Sequence, residues 1–145
     1  MLRVKVIQSK EEMPEYKSSW NDLINRVAPE AFFQSYVFVY NWLEVYGENT
    51  SMFVVMVFSN NDMVGLGAFK RQGKNWSWLT APEGEHQSLI LDPEHACEAA
   101  EIIFNELNHN TKTNDTVKLE DVPENMEWLK INSARSFKYV FETPS

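Results

Sequence analysis

Seven consecutive apolar residues, Met52 to Phe58, lie between Ser51 and Ser59 with no polar side chain among them. A strand with one face in water alternates apolar and polar residues, so this unbroken run predicts a strand in the interior of a sheet with both faces covered. Such a strand calls for helices on two sides. Asn60-Asn61-Asp62 then forms a tight turn into Met63 to Lys70. Gln72-Gly73 forms another into Asn75 to Thr80, where Trp76 and Trp78 share a face. The three segments read as an antiparallel meander.

The flanking segments supply the helices. Leu2, Val4 and Val6 alternate with Arg3, Lys5 and Ile7 as in a half-buried first strand. Tyr16, Trp20, Leu23, Ile24 and Val27 form one helical stripe that Pro29 ends. Ser35 caps a second helix through Tyr46, with Gly47 as its C′ residue. This second helix carries two apolar stripes: Tyr36, Val39, Tyr40 and Leu43 on one side, and Phe38, Trp42 and Val45 on the other. One stripe faces the sheet. The other needs a covering of its own, either the first helix or a partner.

Ala81 to Asp92 is irregular, except that Leu89, Ile90 and Leu91 suit a short edge strand. Asp92-Pro93 suits a helix start, and Ala96, Ala99, Ala100, Ile103 and Leu107 continue it on one stripe. Val117 and Leu119 indicate a strand, and Pro123 opens a shorter helix bearing Met126, Trp128 and Leu129. Phe137, Tyr139 and Phe141 alternate in a last strand that stops at Glu142-Thr143-Pro144-Ser145. The expected class is α/β, a mixed sheet with helices on both faces, folded as one domain over residues 1–145.

Charge limits the partners. The 145 residues carry 13 Lys and Arg against 21 Asp and Glu, a formal net charge of −8. Nucleic acids and anionic membranes are bound by clustered cations, and the densest basic stretch here is only Lys70, Arg71 and Lys74. Neither partner is expected. The first residues lack the apolar core of a secretory signal, no apolar run approaches bilayer length, and the lone Cys97 suits a reducing compartment, so a cytoplasmic location is expected.

The element order resembles the GNAT acyltransferase fold. Phe33-Gln34-Ser35 leading into Phe38 and Trp42 looks like the pattern before the second helix in Fem-like and cellulose-biosynthesis-associated acetyltransferases. Met63-Val64-Gly65-Leu66 followed by Ala68-Phe69 is similar to that group's hairpin strand, with Ala68 where the group has proline. The resemblance is to the amino-terminal half of proteins that carry two such halves in tandem. It implies a domain of an N-acetyltransferase, acting on an amine, whose acyl-CoA site lies in a second half. This half then helps shape the acceptor channel and binds no cofactor, so alone it is inactive. The expected partner is that second half or another copy of the chain, met through the aromatic helix. Contact candidates are Phe33, Ser35, Phe38, Trp42, Val45 and Gly65.

The residues themselves bear on the cofactor. A GNAT enzyme holds the coenzyme A pyrophosphate on backbone amides of a glycine-rich, basic loop before the helix that follows the meander. Ala81 to Pro93 occupies that place with Glu83, Glu85 and Asp92, no lysine or arginine, and only Gly84. Its carboxylates repel a pyrophosphate, while Pro82 and Pro93 each remove an amide. Glu83, Glu85 and His86 are candidates for an acid/base cluster, weighed against a solvated acidic loop. The three histidines are too far apart for a helical metal pair, and Cys97 has no second cysteine, so no metal is expected. Two alternatives stay open: a complete single-domain acetyltransferase whose degenerate loop uses Gly84, and a non-enzymatic assembly module.

Overall fold

The computed structural model describes residues 1–142. The Thr143-Pro144-Ser145 stop expected after the last strand lies outside the described residues. A seven-stranded mixed sheet is built from β1 (Leu2–Ile7), β2 (Ser51–Ser59), β3 (Asp62–Gln72), β4 (Asn75–Trp78), β5 (Ile90–Leu91), β6 (Thr116–Val122) and β7 (Lys138–Phe141). The order is β1-β2-β3-β4-β6-β7, with β5 paired to β3. Pairings from β1 to β4 are antiparallel, whereas β4 with β6 and β6 with β7 are parallel. Three helices cover the sheet: α1 (Lys17–Val27), α2 (Tyr36–Tyr46) and α3 (Ala96–Asn110).

β2 shows why the apolar run demanded two coverings. Met52, Val54, Met56 and Phe58 join the core beneath α1 and α2, while Phe53, Val55 and Val57 join the core beneath α3. All seven are at most 5% exposed. The period of two sends alternate residues to opposite layers, and both layers are apolar. Asn60 takes the left-handed conformation in the two-residue turn to β3, with φ 56°. Gly73 does the same in the next turn, at φ 64°. Val57 faces Gly65, and a bulge at Val57/Phe58 then shifts the register so that Phe58 faces Met63 and Val64 has no opposite residue. On the α3 side, a Cβ built on Gly65 would stand 2.9 Å from Ala99 Cβ, so the glycine is the recess into which the helix settles.

Several boundaries differ from expectation. α3 begins at Ala96, because Asp92 serves the preceding turn: its Oδ1 accepts from the Glu94 amide at 3.0 Å and its Oδ2 pairs with Arg26 of α1. That amide and the Arg26 guanidinium outweigh partial burial and hold the Asp92 carboxyl below its usual range. The helix after Pro123 is instead two 3-10 turns, Glu127–Lys130 and Asn132–Ala134. Gly47 is right-handed, at φ −70°, because α2 runs on into a further 3-10 turn. In β1 the inward residue at the strand's end is Ile7, while Val4 is exposed.

β4 and β5 lie along the same side of β3. Trp78 pairs with Phe69, the Leu79 amide reaches the Ala68 carbonyl at 3.0 Å, and Ile90 resumes opposite Leu66. Between them the chain makes an excursion, Thr80–Leu89. β6 pairs with β4 only at Asn75/Thr116 and Trp76/Val117, and farther along it meets the excursion, where the Gln87 amide donates to the Asp121 carbonyl at 3.0 Å. The expected edge strand is thus β5, a two-residue strand whose one strand partner is β3.

Candidate functional site

The excursion is fastened along its length. Thr80, Gln87 and Ser88 are buried polar residues, and each has a partner: Gln87 Nε2 donates to Thr80 Oγ1 at 3.0 Å, and Trp128 Nε1 donates to Ser88 Oγ at 3.0 Å. The Ser88 carbonyl accepts from the Gln34 amide group. Gly84 is buried so tightly that a Cβ would fall 2.4 Å from Thr80 Oγ1. The backbone amides are engaged too. Ala81 donates to the Trp78 carbonyl at 3.3 Å, Gly84 to the Thr80 carbonyl at 2.8 Å, and His86 to Asp121 Oδ2 at 2.7 Å.

These contacts separate the expected catalytic trio. Glu83 Oε1 accepts from Trp42 Nε1 at 2.8 Å, Glu85 is exposed, and His86 Nδ1 lies 2.5 Å from Oε2 of Glu142, a residue 56 positions away. Glu83, Glu85 and His86 therefore do not converge. The pair at His86 and Glu142 was invisible in sequence because its members sit on the excursion and at the end of β7. The hydrogen bond to Glu142 raises the His86 pKa, partial desolvation opposes it, and the charges of Glu142, Asp121 and Glu85 add to the rise. A raised folded-state pKa means the pair stabilises the fold at pH below the unfolded value near 6.5 and loses that contribution as pH climbs through the folded value. An NMR titration of the His86 ring should give a midpoint above 6.5 that falls in Glu142→Gln; an unchanged midpoint would rule the pair out as its cause.

The contact candidates on α2 also resolve differently. Ser35 is a cap: its Oγ accepts from the Phe38 amide at 3.3 Å and donates to the Phe32 carbonyl at 2.6 Å. Phe33 meets Phe38 edge-on at 5.1 Å between ring centres, both half-buried. Trp42 itself departs from the expectation of a partner contact, since it is only 6% exposed and its indole N–H is bonded to Glu83 of the excursion. The Lys70 ammonium lies 4.8 Å from the centre of a Trp42 ring and donates to the Ala81 carbonyl. Burial lowers the Lys70 pKa, and the Glu83 charge works against that. Val45 remains exposed, with Phe32, Val37 and Tyr46. Gly65 is buried under α3 and contacts Ala99, which leaves no place there for a substrate or a second domain.

A pocket of about 780 Å³ opens beside the excursion, where β6 and β7 end. The carboxyl ends of parallel strands are where open α/β sheets take ligands. Its walls come from the end of α1 and the following loop, from His86 and Ser88–Leu91, from Ala96 and Cys97 at the start of α3, and from Pro123 to Trp128, with Glu142 at the rim. Sequence reasoning singled out only His86 here as a candidate. His86, which lines the pocket, has left-handed backbone at φ 52° and is joined by its amide to the carboxylate of Asp121, itself left-handed at φ 58°. Such conformations gather at functional sites. Cys97 is exposed on the pocket wall. No group of three or more potential metal ligands occurs among the described residues, and no helix among them is long and apolar enough to cross a membrane. No protein-family model, curated protein or solved structure matches this chain.

Proposed function

We propose that the chain is a GNAT-like domain of an N-acyltransferase that does not itself hold the acyl-CoA donor, and whose role is to support and shape the acceptor side of a site completed by another domain. The antiparallel run of four strands, followed by a helical crossover to a parallel fifth, supports the fold assignment. One observation carries the rest. In the segment where a pyrophosphate would rest, the amides of Ala81, Gly84, His86 and Gln87 already donate within the protein, and Pro82 has none to offer. A bound anion would have to displace those bonds while facing Glu83 and Glu85. Each displaced bond costs about 1 kcal/mol, and the carboxylates add repulsion. The same use of the Gly84 amide weighs against a complete single-domain enzyme with a degenerate loop.

Calorimetric titration of the chain with acetyl-CoA tests this reading. The expected result is no saturable heat at micromolar concentrations. Micromolar binding, abolished when the Gly84 position is altered, would overturn it.

A further inference from the structure

The pocket at the ends of β6 and β7 has a lining that can be read independently of the loop on which the acyltransferase reading rests. At about 780 Å³ it is in the range of small-molecule sites. Val27, Leu89, Ile90, Met126 and Trp128 give it apolar walls. The charged groups lining it, among the described residues, are three glutamates and His86, with no lysine or arginine. Those charges are unequally spent. Glu142 is hydrogen-bonded to His86, and Glu127 lies 3.5 Å from Lys130. Glu30 has no ion pair among the described residues. The nearby Arg26 is turned away, bound to Asp92, Asp22 and the Met63 carbonyl. An apolar hollow with a negative rim, on a chain of net charge −8, draws in organic cations and disfavours anions of the same shape.

We propose that this pocket binds a small organic ammonium ion, its apolar body against Leu89, Ile90 and Trp128 and its charge at Glu30. The claim stands on the pocket alone and survives failure of the acyltransferase reading. Its two parts have separate sources: apolar area holds the body, and the rim decides the sign of charge.

Two probes with the same arylalkyl body and opposite charge, phenethylammonium and hydrocinnamate, separate those parts. Each is titrated into the ¹⁵N-labelled chain while amide shifts are followed. The ammonium probe should move the amides of Ser88–Leu91 and Met126–Trp128 and bind at least tenfold more tightly than the carboxylate, a ratio worth about 1.4 kcal/mol. Glu30→Gln, an exposed change that leaves the fold intact, should reduce that preference severalfold by weakening the ammonium probe alone. Ala31→Trp, which places an indole in the pocket, should weaken both probes alike. Equal affinity for the two probes would make the pocket a merely apolar hollow and overturn the proposal. So would tighter binding of hydrocinnamate, shifts confined to other amides, or a preference that Glu30→Gln leaves untouched.

Discussion

Trp42→Ala is expected to lower the stability of the fold by about 3–5 kcal/mol, the usual cost of removing a buried indole. The ring is 6% exposed and packs against Tyr46 at 5.1 Å between centres, with the Lys70 ammonium 4.8 Å from a ring centre. Truncation leaves a cavity, a buried lysine without its aromatic neighbour, and Glu83 without the indole donor. Glu83→Ala tests the last of these: the indole stays in place, its bond to Glu83 Oε1 is lost, and about 1 kcal/mol should go with it. Urea unfolding followed by far-UV circular dichroism measures both. If Trp42→Ala kept the wild-type midpoint while changing the association state, Trp42 would be a partner contact after all.

Gly65→Val should be the next most damaging change. Valine suits strands better than glycine by up to about 1 kcal/mol, so propensity alone favours the substitution. Packing opposes it more strongly. The new Cβ would stand 2.9 Å from Ala99 Cβ and 3.4 Å from Val57 Cβ, atoms held directly by their backbones, so α3 itself must lift. Overpacking of this kind costs about 3 kcal/mol, leaving a net loss of about 2 kcal/mol. Gly67 contrasts with it, since there the close atoms are the outer carbons of Ile103, Phe69 and Leu89. A fall in the urea midpoint for Gly65→Val checks the argument; an unchanged midpoint would show that the α3 layer is slack.

The sheet was legible because its signal is local. The unbroken apolar run of β2, the two hairpin turns and the Ser35 cap all act within a few residues, and each appears where the sequence puts it. The pocket was not legible, because long-range pairs build it. Nothing near His86 announces Glu142, and nothing near Trp42 announces Glu83 or Lys70. Asp92 shows how a strong local preference loses. It has the chemistry of a helix cap, yet its carboxylate is engaged by Arg26, an ion pair that reaches across 66 positions. The second stripe of α2 divides: Trp42 is buried and bonded to Glu83 of the chain's own Thr80–Leu89 segment, Phe38 packs on Phe33, and Val45 stays exposed, a division that the irregular sequence of the segment does not signal.

That segment is tied to the start of α2 through Gln34, to its middle through Trp42, to β6 through Asp121, to the end of β7 through Glu142, and to the 3-10 turn at Trp128. A loop anchored at one point can fray on its own, but one moored to five places cannot detach without loosening both layers of the protein. Hydrogen exchange at the Gly84 and Gln87 amides therefore belongs with that of the slowest strands, despite the irregular backbone that carries them.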